Sequence, residues 1–508
     1  MRKMQDNLTK HSVLNAGSSF LIYVVRIVVG FVVNPILVTG LGGELFGIWQ
    51  ICQRYLTYVE SAEGRATQAL KWVLANGQVT TDDQEKRRSV GSAITIWMMF
   101  LPIVALAGAA VVWLGPRLIR GLDPAMLPLA RITCAILVLR LMLMGMAQVP
   151  EAILQGLNLG YRMTVAKVVA EIVGGALLAA AVLLHLGLIG LAVAFSLAVF
   201  MSGAINHFNA RRDVPWYGVA RPARDDVRKF FGFSAWVFSW TLVNKLVLFS
   251  DVVIIGLVMS ADEVTKYTLT LYAAQIGVNA SAMIVNAAVP GIGGLIGTRE
   301  FARARRVRGE LMSVLWLFML VLGCGVLLLN ASFVALWVGR ERFCGSGINL
   351  LMVLAIAQQV AFRADAFLID ATLNMRRKVL AGCVAAVVGI AAACILGKRY
   401  GLAGIIMGQM LGRSVLSFYY PIIMSAALEG QSRGLLGAIW RPGLVMGALF
   451  YLAWRVGAGL VIESWPLLVL VAVPTVIVVF AAGYGLGFGH DQQAVIRERL
   501  SLARRFRS

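Results

Sequence analysis

Long apolar runs, one after another, constrain this sequence more than any other feature. About fourteen stretches of membrane-spanning length can be placed, near 12–40, 46–71, 90–114, 130–153, 163–185, 188–208, 231–258, 265–290, 311–330, 348–372, 379–397, 401–427, 437–457 and 466–487. In hydrocarbon every backbone N–H and C=O must be satisfied within its own segment, so such runs become helices. The expected fold is an all-α polytopic membrane protein. Only 14% of residues are charged, well below the quarter usual in soluble domains. The first apolar run follows a basic N-terminus and extends past Val38, too long for a cleaved signal peptide, so it reads as a retained span.

The connections set the topology. TDDQEKRR, the 209–230 segment, TREFARARRVRGE, Arg376-Arg377-Lys378 and the tail RERLSLARRFRS all fall on one side and hold most of the 46 Lys and Arg. The opposite side holds Arg117, Arg120, Arg340, Arg342, Lys398, Arg399 and Arg455. That asymmetry places the basic side and both termini in the cytoplasm. It also explains the net charge of +21 as topology, with contact to anionic membrane lipids secondary. No nucleic-acid partner is expected.

The chain reads as two related halves. With an offset of 214 residues, Glu151, Leu154, Leu159, Arg162, Gly175, Gly187, Leu188 and Gly190 fall on Asp365, Leu368, Leu373, Arg376, Gly389, Gly401, Leu402 and Gly404. The expected organisation is a six-helix bundle over 1–210, a cytoplasmic linker over 211–230 and a second six-helix bundle over 231–430. Two further helices over 431–487 and a basic tail over 488–508 complete it. Parallel repeats of this kind commonly hold a substrate site between the halves.

Charged groups inside spans are costly and mark partners or cavities. On a continuous second helix, Arg54, Tyr58, Ser61 and Arg65 share a line, with Gln53, Glu60, Gly64, Thr67 and Lys71 beside it and Glu63 nearby. Span one carries Asn15, Ser19 and Arg26 on one face, and span seven carries Thr241 and Lys245, then Asp251. Span eight carries an uncharged stripe of Thr268, Tyr272, Gln275, Asn279 and Asn286. Arg26, Arg54, Arg65 and Lys245 are candidates for binding an anionic group, the alternative being helix pairing with Glu60, Glu63 or Asp251. Glu60, Glu63 and Asp251 are also candidates for coupling to a proton or sodium ion, with Tyr272, Gln275 and Asn279 as polar lining. Arg140 with Glu151, and Gln359 with Arg363 and Asp370, read as ties within a bundle. Lys167 and Glu171 read as a local i,i+4 pair. The six Cys show no CxxC and read as packing residues, and the four His form no cluster with ligand spacing, so no metal, cofactor or disulfide framework is expected. There is no P-loop and no GxSxG.

LVTGLGGELFGIWQ, opening span two, resembles a signature of bacterial polysaccharide flippases, and SDVVIIGLVMSADEVTKYTLTLYAAQ resembles its counterpart in the second half. These belong to the multidrug/oligosaccharidyl-lipid/polysaccharide exporter superfamily. The resemblance covers about 1–430. It implies two bundles forming a V-shaped cavity lined by spans one, two, seven and eight. It also implies a flippase, not an enzyme, moving undecaprenyl-diphosphate-linked oligosaccharide from the inner to the outer leaflet of the bacterial inner membrane, with a polysaccharide polymerase or export complex as partner. By position, Arg26, Arg54, Arg65 and Lys245 would hold the diphosphate or acidic sugars. A lipid II flippase of peptidoglycan synthesis and a cation-coupled multidrug exporter stay open as alternatives. A membrane glycosyltransferase is disfavoured, because the outer loops are too short to carry catalytic residues.

Overall fold

The structure is a computed structural model. It describes residues 2–63, 66–76, 82–222, 224–370, 375–429, 435–489 and 493; side chains at 2–13, 16, 225, 226, 228–238, 290, 375 and 435–439 are outside the description. The helices are α1 (Arg2–Ser61), α2 (Ala66–Asn76), α3 (Asp83–Leu114), α4 (Leu127–Gly156), α5 (Thr164–Leu183), α6 (Gly187–Asp213) and α7 (Arg224–Val258). They continue as α8 (Ala261–Gly297), α9 (Phe301–Val338), α10 (Ser346–Asp370), α11 (Met375–Ala427), α12 (Leu435–Gly459) and α13 (Trp465–Ala482). No strand occurs among the described residues.

Eleven helices among the described residues are long and apolar enough to cross a membrane. Two of these bend sharply, α1 at Gly42 (φ 81°) and α11 at Gly401 (φ 59°). A side chain at positive φ costs energy that glycine avoids, so each bend falls where the sequence permits it. With α12, 25 residues long, the segments approximately match the fourteen expected. Gly187, matched to Gly401 by the repeat, also has positive φ (60°).

The surface is that of a protein solvated by lipid. Leu106, Val165, Leu183, Val387, Ile395 and Phe418 are each exposed on helix flanks. No residue of α13 is buried, consistent with a helix apolar on all sides. The chain divides into two compact units, Met1–Val264 and Thr265–Ser508. In the first, Phe46, Trp49, Ile51, Leu70, Ile96 and Leu137 are fully buried, where α1 packs on α3, α4, α5 and α7. In the second, Tyr420, Phe450 and Phe488 play that part.

The second span departs from a continuous helix. Thr57 and Ser61 turn their hydroxyls back to the carbonyls of Arg54 and Thr57, a pattern that competes with regular helix bonding. Ala62 N–H and Glu63 N–H then bond to Val59 O (2.9 Å) and Glu60 O (3.3 Å), three residues back. The helix ends at Ser61 and α2 begins at Ala66. The line running from Arg54 to Arg65, and from Gln53 to Lys71, is therefore broken, and Gly64 and Arg65 lie outside the described residues.

Where loops meet helix ends, the ties are polar. Asn15 bonds Asn158 Oδ1 (2.6 Å) and receives Tyr161 N–H. Arg87 donates to Trp216 O (2.7 Å). Tyr217 bonds His207 Nδ1 (2.9 Å), and burial raises its hydroxyl above the ordinary tyrosine value.

Candidate functional site

Six charged groups of the first unit collect where the second half of α1 meets α4 and α7. Lys245, on α7, is buried. Its Nζ donates to Glu60 Oε2 and to the Thr57 carbonyl, both at 2.7 Å. The same carbonyl also accepts the Ser61 hydroxyl at 3.2 Å. Asp251, further along α7, is also buried and accepts the N–H of Val252 at 2.9 Å. Tyr58 has a buried hydroxyl in this region without a hydrogen-bond partner among the described residues, near the charges of Asp251 and Arg54.

Arg140, on α4, faces the carboxylates of Glu60 and Glu63. Its guanidinium lies 4.6 Å from the Phe195 ring centroid, and its Nε is buried with no hydrogen-bond partner among the described residues. Glu63 is buried against Gly145, where Trp97 also closes in. Arg140, Lys245 and Arg54 thus stand with Glu60, Glu63 and Asp251, three cations with three carboxylates among the described residues.

Arg54 differs from its neighbours. It is half-buried, and its guanidinium lies 4.9 Å from the Phe249 ring of α7, a cation–π contact. No carboxylate pairs with it among the described residues.

The remaining candidates are placed elsewhere. Arg26, in the first half of α1, donates its Nε to Glu171 of α5 at 2.8 Å, with two-thirds of its side chain exposed. Lys167 bonds Glu151 of α4 at 2.6 Å. The local Lys167–Glu171 pair is therefore replaced by two ties between helices, and Glu151 pairs with Lys167 instead of sharing a bond with Arg140. Asp365, matched to Glu151 by the repeat, takes a bidentate bond from Arg308 at 2.7 and 2.8 Å. Asp370 pairs with Lys378, which is fully buried. In the second unit, Tyr272 lies 4.6 Å from the Trp337 ring, Gln275 is half-buried and Asn279 is exposed. That unit also holds an apolar pocket of about 340 Å³ lined by Ala273, Phe318, Leu322, Phe333, Leu468 and Val476. Sequence reasoning missed Phe249, an apolar residue in an apolar run that carries no sign of its partner. Glu171 carried a sign, an acid inside a span, but was assigned to the wrong base.

Residues 12–295, more than half of the 508, match the model of a family described as polysaccharide biosynthesis protein. No curated protein matches the chain significantly. Among solved structures, the lipid II flippase MurJ in an inward closed conformation superposes with a TM-score of 0.68 and 11% identity, over 93% of this chain and 98% of that one. An inward-facing multidrug resistance MATE family transporter of the MOP superfamily gives 0.61 and 14%, over 81% and 96%. A MOP superfamily transporter from Pyrococcus furiosus, titled for the reverse polarity of its binding pocket, gives 0.51 and 12%, over 84% and 96%. The fold is shared, and the resemblance read from the sequence agrees with it.

Proposed function

Since this chain belongs to the polysaccharide biosynthesis protein family, we propose that it is a flippase. Its substrate would be an undecaprenyl-diphosphate-linked oligosaccharide, moved from the inner to the outer leaflet of the bacterial inner membrane by alternating access. Flipping makes and breaks no covalent bond. It requires a polar path for the diphosphate and sugars and an apolar one for the prenyl chain.

Arg54 is the observation that carries this reading. A guanidinium inside a span, held over a ring and lacking a carboxylate partner among the described residues, retains its charge for a transient anion. Arg orients phosphate better than Lys because its planar fork binds two oxygens at once. Arg65, eleven residues further along the sequence, would add a second cation. Lys245 and Arg140 face carboxylates already, so their part is to hold the site. Asp251, Glu60 and Glu63 are the groups through which a proton or sodium ion would couple. The apolar pocket of the second unit suits an isoprenoid tail. Lipid II is a second reading, supported by the superposition on MurJ over nearly the whole of both chains; both substrates present the same undecaprenyl diphosphate.

Deletion of the gene separates these readings. Lipid-linked oligosaccharide accumulating on the cytoplasmic face is the expected result, and accumulation of lipid II there would select the second reading. Normal arrival of both in the outer leaflet would overturn the flippase proposal.

A further inference from the structure

At the end of the first unit assigned to the outside, three arginines converge, and they are used differently. Arg120 is engaged. Its N–H bonds Gly256 O (2.9 Å) and its Nη1 bonds Val258 O (2.6 Å), at the C-terminus of α7. A cation there complements the partial negative charge of the helix end. Arg117 and Arg131 have no such engagement. Their guanidinium groups lie 4.7 and 4.6 Å from the ring centroid of one residue, Trp113. Neither makes an ion pair or a hydrogen bond among the described residues.

Two cations gathered on one indole repel each other, and neither is ion-paired among the described residues. Asp123, the nearest acid in sequence, turns its carboxylate to the Ala125 N–H. Arg131 carries a second cost. Its Nε and Nη2 are buried without hydrogen-bond partners among the described residues. These two atoms form the edge of the guanidinium that grips an oxyanion with two parallel bonds. Leaving such donors desolvated and unpaired is unfavourable. Trp113 itself is more than half exposed, which opens the ring edge between the two arginines to the membrane interface.

We infer that Trp113, Arg117 and Arg131 form a docking site for a phosphate-ester headgroup at the outer face, separate from the Arg54 region. The headgroup chemistry is shared by two sources. One is an anionic phospholipid of the bilayer. The other is the diphosphate of a lipid-linked substrate on release, and this source alone rests on the flippase reading.

The test uses the full-length purified protein, freed of endogenous lipid. Binding of phosphatidylglycerol, undecaprenyl diphosphate and phosphatidylcholine is measured by native mass spectrometry. The Arg117→Gln/Arg131→Gln variant is expected to bind at least one of the two anionic probes about tenfold more weakly, the loss expected when a charged hydrogen-bonded contact goes. Phosphatidylcholine binding should stay unchanged. Arg120→Gln serves as the control that disturbs the same end of the fold, and it should leave all three affinities in place. Loss of phosphatidylglycerol alone assigns the site to bilayer lipid. Loss of undecaprenyl diphosphate assigns it to the substrate class. Arg117→Lys/Arg131→Lys retains the charge and guards against misfolding; it should recover part of the binding, and raising salt should weaken the wild-type interaction. Unchanged affinity for both anionic probes in the Gln variant, or an equal loss for phosphatidylcholine, overturns the site.

Discussion

Replacing Lys245 by Met isolates what the ion pair between α1 and α7 contributes. The substitution keeps the aliphatic stem and removes two charged hydrogen bonds of 2.7 Å, one to Glu60 and one to the Thr57 carbonyl. Breaking a fully buried pair by removing one partner costs about 3–5 kcal/mol. Glu60 keeps about a third of its side-chain surface exposed, and Arg140 also faces it. Both relieve the abandoned carboxylate, so the expected loss falls to about 2 kcal/mol. Glu60→Gln should cost roughly 1–2 kcal/mol, because Lys245 keeps the Thr57 carbonyl and gains an amide oxygen. The double variant should cost less than the two singles together by at least about 1 kcal/mol, since each removes the other's reason for penalty. Equilibrium unfolding of the purified protein in detergent, followed by tryptophan fluorescence, measures all four forms. Additivity within about 0.5 kcal/mol would show that the two side chains do not couple and would refute the reasoning.

Other consequences follow from single contacts. Arg308→Gln abandons the Asp365 carboxylate, which is 4% exposed, and should destabilise the second unit by about 3–5 kcal/mol. Arg303→Gln, at an exposed i,i+3 pair, should change stability by less than about 0.5 kcal/mol in the same unfolding experiment. A Cβ on Gly412 would meet Gly389 Cα at 2.4 Å and the Ala385 carbonyl at 2.5 Å. Gly412→Ala should therefore lower the melting temperature, at a cost of about 1–3 kcal/mol, whereas Gly443→Ala, with nothing near its Cβ, should not. For topology, a cysteine at Glu463 should react with a membrane-impermeant maleimide on intact cells, and one at Arg211 only after the membrane is opened; the reverse pattern would invert the assignment.

The helical plan was legible because hydrocarbon leaves so few alternatives. Apolar length alone marks the segments, and Gly42 and Gly401 mark where two of them turn. The break after Ser61 was not legible. Glu60, Glu63 and Arg65 fit the polar face of a longer helix equally well, and the hydroxyl bonds of Thr57 and Ser61 that accompany the break are conformational choices. Pairing was partly legible. Lys245 with Glu60 was among the open alternatives, since a buried cation needs an acid at its depth. The i,i+4 spacing of Lys167 and Glu171 invites a local pair, yet such a pair is worth only about 0.2–0.5 kcal/mol. In a bundle a neighbouring helix offers a better partner at little extra cost, and Arg26 and Glu151 provide them. Arg131 passed without notice because a basic residue at a span start is ordinary; its significance comes from sharing Trp113 with Arg117.

Charge balance narrows the reading of the inner site. Counting cations along the sequence suggests a strongly basic lining of Arg26, Arg54, Arg65 and Lys245. The described part of that lining is largely compensated, with Arg26 facing Glu171 and Lys245 facing Glu60. A fixed, uncompensated basic surface would hold a diphosphate too tightly to release it, because transport requires binding favourable enough to enter and weak enough to leave. A compensated site solves this differently. Carboxylates face the neighbouring cations, and under the proposed function Arg54, over Phe249, would exchange a weak ring contact for a strong phosphate one. The chemistry needed for capture would thereby be concentrated in few groups. The Lys245–Glu60 pair ties α7 to α1, and under the proposed function it would limit how far the two helices part during that exchange.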